Sequence, residues 1–179
     1  MKVQVGHTLL ESIITVSVLC TVSVIAIPSL NDFYTSRQFT AQSAGLHSSL
    51  NLARTHAIAN IKAVVICAVD HQGQCVYKPK RLQNWQYGWK LYVDENDNGL
   101  QDHDDIEIQR QTLHEQFQLV FNQHGRIRFD HSGRARSGGF YLCDKNAAFG
   151  HHFKLLHTGR VRVNPSIDHE RLKQCQNAI

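Results

Sequence analysis

The chain opens with one long apolar stretch, which follows a leader of six residues. The stretch runs from Leu9 to Ile27. No small-residue cleavage site follows it, so we expect it to be retained rather than removed like a secretory signal peptide. About twenty helical residues, at roughly 1.5 Å each, match a hydrocarbon core of about 30 Å. The pattern therefore predicts a leader over residues 1–6 and a membrane-spanning helix over residues 7–28.

A helical pattern continues beyond the apolar stretch. Apolar residues recur three or four positions apart as far as Ile61, with polar residues between them, as in a helix that buries one face. We expect this helix to end near Asn60 and a sheet to cover its apolar stripe. The earlier residues of the stripe are Leu46, Leu50, Ala53 and Ala57.

Short runs of strand-forming residues, separated by glycine turns, occupy the rest of the chain. They cover residues 63–69, 89–93, 107–111, 116–121, 126–130, 139–143, 152–156 and, more weakly, 161–163. The segment 77–85 is expected to be an ordered loop. One long helix followed by an antiparallel meander predicts an α+β fold, in which residues 29–179 form one globular domain.

Residues 6–11, Gly-His-Thr-Leu-Leu-Glu, join the leader to the apolar stretch. A carboxylate inside a membrane helix costs about 2.5–3.5 kcal/mol on insertion scales, so Glu11 needs a partner, such as a newly freed α-amino group. The arrangement resembles the prepilin signature of type IV pilins and type II secretion pseudopilins, which a dedicated peptidase cuts after the glycine. The resemblance implies cleavage between Gly6 and His7; the family usually has Phe at the position of His7. It also implies a role for Glu11 in filament assembly and a helix kink at Pro28. An anchored protein whose glutamate is incidental is the alternative.

Cysteines occur at five positions, of which Cys20 lies in the apolar stretch. The other four would face an oxidising periplasm and form two disulfides, although the sequence allows three pairings. We expect Cys67 to pair with Cys75 across a short turn, and Cys143 to pair with Cys175, which would tether the C-terminal tail to a strand. Each bond would stabilise the fold by roughly 2–4 kcal/mol. Zinc is the alternative, but no C-x-x-C pair or tight Cys/His spacing supports it.

Charge is divided unevenly along the chain, whose net charge is +4. Residues 94–107 contain seven acids and no lysine or arginine, whereas residues 110–179 contain eleven lysines and arginines against five acids. A basic half of this kind suggests nucleic acid or another acidic partner.

The acidic segment approaches the loop of an EF-hand. Asp94, Asn96, Asn98 and Gly99 match its first, third, fifth and sixth places. The twelfth place is Asp105 rather than a glutamate, and no flanking helices are predicted. We therefore expect a solvated hairpin turn without a metal, with calcium as the alternative.

The sequence Gly-Arg-x-Arg occurs three times, at residues 125–128, 133–136 and 159–162. Glycine permits a tight turn, and arginines two apart on a strand project to the same side. Two adjacent guanidinium groups suit successive phosphates, which they can bind bidentately. Solvated hairpin ends whose charges aid solubility are the alternative.

The soluble part of the chain resembles the GspH/FimT family of pilin-like proteins, and FimT-type minor pilins most. Segments 64–67, 88–99, 129–134, 141–144 and 159–162 carry this resemblance over nearly the full length. It implies a pilin-like fold and DNA binding through the third copy, with Gly159, Arg160 and Arg162 as the site. Supporting charges would be Lys154, Arg171 and Lys173, and further candidate contacts are Arg126, Arg128, Arg134 and Arg136.

DNA binding of this kind should be led by phosphate contacts and independent of sequence, because no base-reading helix or aromatic RNA-binding motif is apparent. Base stacking on aromatic side chains is the alternative. The aromatic residues of the C-terminal part are expected in the core instead; they are Phe140, Tyr141, Phe149 and Phe153.

Together these features predict a minor pilin of a type IV pilus that binds extracellular DNA and supports its uptake in natural transformation. The alternative is a structural pseudopilin or minor pilin that primes or caps a filament without binding DNA. No catalytic motif is present, so neither an enzyme nor a cofactor is expected. Expected partners are DNA, other pilins, a prepilin peptidase and, before assembly, the inner membrane. The protein is expected as a single-pass protein in the inner membrane of a Gram-negative bacterium, and then in a type IV pilus in the periplasm or at the cell surface.

Replacing Gly6 by alanine should leave the precursor uncut, because the resemblance places peptidase cleavage directly after this glycine. An immunoblot of cells that contain the peptidase should then show only the longer form. A normal mature form of this variant would contradict the prepilin assignment.

Overall fold

A computed structural model describes residues 8–77, 83–123, 125–145, 150–168 and 175, without the side chains of residues 24–29, 32, 83 and 84. The chain divides into two compact units, Met1–Gln38 and Phe39–Ile179. All eight predicted strands and both disulfides fall in the second unit, within the described residues.

The helix α1 runs from Leu9 to Asn60, so the predicted end near Asn60 is confirmed. At its start the Thr8 hydroxyl accepts a hydrogen bond from the Glu11 amide at 3.3 Å, as an N-cap residue does. Within the described residues no helix is both long and apolar enough to cross a membrane. The span over residues 7–28 stays a prediction, and Gly6 and His7 lie outside the described part of the chain.

In the second unit α1 buries the predicted apolar stripe, because Leu46, Leu50, Ala53 and Ala57 are all fully buried. Burying a leucine side chain contributes about 1.5–3 kcal/mol. The last member of the predicted stripe is an exception. Ile61 follows the end of the helix, has a left-handed backbone with φ of 54°, and is 75% exposed. It therefore marks the turn into the first strand rather than the buried face.

Two serines of α1 are also buried against the sheets, although the periodicity assigns such polar positions to the solvent side. Ser49 donates to Gln109 Oε1 at 3.1 Å, and the Ser43 hydroxyl lies 2.6 Å from His151 Nδ1. A hydroxyl can be buried at low cost when it has a hydrogen-bond partner. These pairs tie the helix to strands of both sheets.

Among the described residues the structure contains the eight predicted strands, with ends shifted by no more than about two residues, and one further strand. The unpredicted strand, Gln83–Asn84, lies in the segment expected to be a loop and pairs with Phe121 and Val120. The strands are β1 Ala63–Ala68, β2 Gln83–Asn84, β3 Trp89–Asp94, β4 Ile106–Gln111, β5 Phe117–Phe121, β6 Arg126–Phe129, β7 Gly138–Asp144, β8 Gly150–Leu155 and β9 Val161–Asn164.

The strands form two antiparallel sheets, in the orders β4-β3-β1-β6 and β2-β5-β7-β8-β9. The prediction of one continuous meander was therefore wrong, because β5 joins the second sheet and β6 returns to pair with β1. The reason lies in β1, whose six residues are all buried. One face of β1 packs in the main core, and the other packs on Tyr92. A strand buried on both faces takes a central place with a neighbour on each side.

The structure contains both predicted disulfides, with Cα–Cα distances of 5.6 Å for Cys67–Cys75 and 6.5 Å for Cys143–Cys175. The first supports the outer face of β1, and the second brings the C-terminal Cys175 onto Val120 of β5. Cys20 is free and exposed.

Replacing Cys143 and Cys175 together by serine should lower the free energy of unfolding by about 2–5 kcal/mol, because the native disulfide restricts the unfolded chain. A thermal melt of the full chain, followed by circular dichroism, measures this loss. Cys20→Ser is the matched control and should leave the melting temperature unchanged, because Cys20 forms no disulfide. Equal stability of the two variants would contradict a stabilising Cys143–Cys175 bond.

Candidate functional site

The second and third Gly-Arg-x-Arg copies follow turns with the same backbone geometry. In each turn the glycine N–H donates to the carbonyl of the residue three positions earlier, at 2.8 Å for Gly133 and 2.9 Å for Gly159. The N–H of that earlier residue donates to the carbonyl of the arginine after the glycine, at 2.9 Å in both turns. The two glycines have φ of 74° and 73°, a left-handed conformation that glycine adopts without strain.

The two turns lie directly against each other. A Cβ added to Gly159 would stand 1.9 Å from the carbonyl oxygen of Gly133, and the Ala135 N–H donates to the His157 carbonyl at 3.2 Å. We call the two turns and the arginines after them, residues 130–136 and 156–162, the twin turn. Its two halves are distant in sequence, so only the fold brings the second and third copies together.

Helix α1 contributes an arginine to the twin turn. The Cδ and Nε atoms of Arg54 lie 3.0 and 3.1 Å from the Cβ position of Gly159, and its Cγ lies 3.2 Å from that of Gly133. Ile58, one helical turn later, lies 2.6 Å from the Cβ position of Gly133. The sequence pattern does not single out Arg54 as a site residue. The available signal was its place four residues after Leu50, on the edge of the buried stripe.

The twin turn presents four exposed arginines, and none of them forms an ion pair with any residue that the structure describes. Two belong to the second copy and two to the third. They are Arg134, Arg136, Arg160 and Arg162.

Asp130 is the acid of the twin turn, and its carboxylate is engaged locally. Its Oδ1 accepts hydrogen bonds from the Ser132 amide at 2.9 Å, the Ser132 hydroxyl at 2.7 Å and the Arg134 amide at 3.0 Å. Burial acts to raise the pKa of Asp130, but these hydrogen bonds outweigh it and hold the pKa below its ordinary value. The carboxylate thus fixes the turn.

Lys154 lies in β8 directly opposite Arg162 of β9, and both side chains are exposed. Like charges at opposed positions of neighbouring strands destabilise a sheet unless an anion lies between them. Of the predicted supporting charges, Lys154 therefore adjoins the third copy. Arg171 and Lys173 lie outside the described residues, so their supporting role stays a prediction.

The first copy lies elsewhere, at the acidic loop between β3 and β4. Arg128 donates a hydrogen bond to Asp97, and its Nε is 3.7 Å from Asp94 Oδ2. The Arg126 guanidinium lies over the Tyr77 ring, 5.1 Å from its centroid. The structure therefore brings the arginines of the first copy to acidic and aromatic partners, and not to the twin turn.

The acidic loop uses its carboxylates to hold its own backbone. Asp94 accepts from the Gly99 amide at 2.8 Å and the Asn98 amide at 3.1 Å. Hydrogen bonds from the Asn96 and Asn98 side chains lower the pKa of Asp102. Within the described ranges no group of three His, Cys, Asp or Glu side chains is placed to hold a metal ion.

The aromatic residues expected in the core divide into two groups. Phe140 and Phe153 are fully buried, as predicted. Tyr141 is only half-buried and stacks on His152, with ring centroids 4.6 Å apart and planes at 6°. Phe149 lies outside the described residues.

A family model described as Type II transport protein GspH matches residues 42–166, which is most of the chain. The chain belongs to the GspH family. The matched residues include α1 from Gln42 to its end, strands β1 to β9, and the whole twin turn. The family resemblance seen in the sequence is confirmed, whereas the closer likeness to FimT-type proteins stays a prediction. None of the curated proteins compared with the chain matches it.

Solved structures of two minor pilins or pseudopilins share the fold of this GspH-family protein. The type IV minor pilin FimU of Pseudomonas aeruginosa has 14% identity and a TM-score of 0.53, over 70% of this chain and 92% of FimU. A second crystal form of FimU gives a TM-score of 0.55 at 15% identity, over 74% and 92%. The minor pseudopilin EpsH from the type 2 secretion system of Vibrio cholerae gives 0.53 at 14% identity, over 72% and 97%.

At these identities the likeness concerns the fold, and it confirms the prediction of a pilin-like α+β protein with a long N-terminal helix on antiparallel sheets. Together with the family match, it makes this protein a minor pilin or pseudopilin of a type IV pilus or a type II secretion system. The family and the fold are those of structural pilins.

Replacing Gly159 by alanine should destabilise the protein, because the new Cβ would collide with the Gly133 carbonyl. The left-handed backbone alone costs alanine about 1–2 kcal/mol, so we expect the free energy of unfolding to fall by at least about 2 kcal/mol in a denaturant melt. Gly45→Ala is the matched control, because its Cβ would meet only Gln111 Oε1 at 3.7 Å, and alanine stabilises a helix over glycine by roughly 0.5–1 kcal/mol. Equal stability of these two variants would disprove the close contact between the turns.

Proposed function

We propose that this GspH-family protein is a minor pilin that binds extracellular DNA through Arg160 and Arg162 and supports its uptake in natural transformation. The observation that carries the proposal is the set of exposed arginines on the twin turn, which have no acidic partner among the described residues. Charges that are not neutralised within a protein are available to an anionic ligand.

The third copy suits a phosphate backbone. Arg162 lies in β9, at the edge of the second sheet, and Arg160 lies two residues earlier on the same exposed segment. A guanidinium group can bind a phosphate bidentately, and two of them at this spacing can engage neighbouring phosphates. An anion at this place would also relieve the repulsion between Arg162 and Lys154.

Binding of this kind is sequence-independent and salt-dependent. Contacts to phosphate release condensed counterions and carry no information on the base sequence. Arg171 and Lys173 belong to the tail that is tethered to β7 through Cys143–Cys175, and we propose them as supporting charges. Arg126 and Arg128 do not belong to the proposed DNA-binding surface, because Arg126 lies over the Tyr77 ring and Arg128 pairs with Asp97.

The proposal includes the route of a pilin to the filament. We propose that a prepilin peptidase cuts between Gly6 and His7, that residues 7–28 hold the protein in the inner membrane of a Gram-negative bacterium, and that Glu11 contacts a neighbouring pilin during assembly. DNA would then meet the twin turn in the periplasm or at the cell surface.

Replacing Arg160 and Arg162 together by glutamine should abolish DNA binding and transformation while piliation is retained. Exposed charge changes seldom alter stability by more than about 0.5 kcal/mol, so the fold should survive. Binding is measured with the full chain in a non-ionic detergent and a fluorescently labelled DNA duplex at a series of salt concentrations. Transformation frequency and surface pili are measured in cells.

The matched control is Lys62→Gln with Arg110→Gln, which also removes two exposed cations, but ones that already pair with Glu95 and Glu107. This control should bind DNA like the unchanged protein. Loss of pili together with uptake in the Arg160/Arg162 variant, or DNA binding indifferent to these arginines, would favour the alternative, a structural subunit that primes or caps a filament.

A further inference from the structure

Arg54 is held by the twin turn in a way that an ordinary surface arginine is not. Its aliphatic stem passes both glycines at 3.0–3.2 Å from their Cβ positions, so a side chain at either position would displace it. The fold thus fixes the place at which the Arg54 side chain reaches the protein surface. A cation fixed in advance loses less conformational entropy when it binds an anion.

The guanidinium group of Arg54 has no protein partner among the described residues. The structure gives it no ion pair there, and its Nε is buried without a hydrogen-bond acceptor. A buried donor without an acceptor is unfavourable, so such a group calls for a compensating interaction. Nε is the atom of Arg54 that is both buried and unpartnered, whereas the half-buried side chain as a whole still reaches the surface.

The surroundings of Arg54 are positively charged. Arg134 follows Gly133, and Arg160 follows Gly159, so an exposed arginine adjoins each of the two glycines that Arg54 lies against. The Asp130 carboxylate accepts hydrogen bonds from its own turn and forms no ion pair with these arginines among the described residues. A cluster of cations around a fixed guanidinium fits an anion with several charged groups, such as a phosphodiester chain.

We propose that the second turn and Arg54 belong to the same DNA site as Arg160 and Arg162, and that Arg54 binds a phosphate group directly. This inference rests on the proposed function, because it extends the same surface. It enlarges the site from one loop to a composite of α1 and both halves of the twin turn. The DNA backbone then crosses the contact between Gly133 and Gly159.

The test compares Arg54→Met with Arg54→Lys in the full chain, in a non-ionic detergent, against a labelled DNA duplex over a series of salt concentrations. Methionine keeps most of the stem that packs on the glycines but removes the charge, so the slope of log affinity against log salt should fall in magnitude by about 0.9, one phosphate contact. Lysine keeps the charge and should keep the slope. Lys62→Met is the matched control, a cation just beyond the same helix, and should also keep it.

A second measurement uses the unchanged protein and does not depend on how the variants fold. DNA should protect Arg54 from modification by phenylglyoxal, as read by peptide mass spectrometry, while Arg110 on β4 remains equally reactive with and without DNA. Protection of Arg160 without protection of Arg54 would overturn the inference.

The outcomes separate this inference from the proposed function. If Arg54→Met keeps the wild-type salt slope, even with weaker binding, Arg54 has a packing role and the inference fails, while loss of binding in the Arg160/Arg162 variant would still support the function. If the unchanged protein shows no salt-dependent DNA binding, the function and the inference fail together.

Discussion

The structure depends on the burial of one face of α1 in a core that both sheets share. Leu46 and Leu50 pack in the same cluster as Ile66 of the first sheet and Phe140 and Phe153 of the second. Neither sheet could bury its inner face without the other elements, because a sheet that is apolar on one face needs a second layer. The helix is therefore the element that sets the two sheets, and the loops between their strands, against each other.

That shared core explains why the twin turn exists. The small residues Ala53 and Ala57 are fully buried, the neighbouring Arg54 lies against the glycines of both turns, and Ile58 lies against Gly133. Glycine is needed at these turns for two reasons at once, the left-handed backbone and the absence of a side chain at the contact. The turn geometry itself is not special to the charged site. Residues 70–74 form the same pair of hydrogen bonds, at 3.0 and 2.9 Å, but carry Gln74 where the other turns carry arginine.

The acidic loop and the twin turn differ in whether their charged side chains have partners of opposite charge. Acids of residues 94–107 form ion pairs with Lys62, Arg110 and Arg128, and Asp94 also accepts a hydrogen bond from an amide of its own loop. The arginines of the twin turn have no such partners among the described residues. A fold of this kind serves filaments of more than one type, and what a given member binds is decided by side chains at such surfaces.

The sequence by itself determined the end of α1, eight strands and the family, because these follow from local periodicity, turn residues and motifs. It allowed three pairings of the four cysteines outside the apolar stretch, and the tertiary structure decided between them. The sequence could not give the division into two sheets, since the partner of β1 depends on which faces are buried after the chain has folded. For the same reason the three Gly-Arg-x-Arg copies look equivalent in sequence. Only the tertiary structure assigned the first to the acidic loop, joined the other two, and placed Arg54 between them, because contacts between residues distant in sequence are fixed by packing.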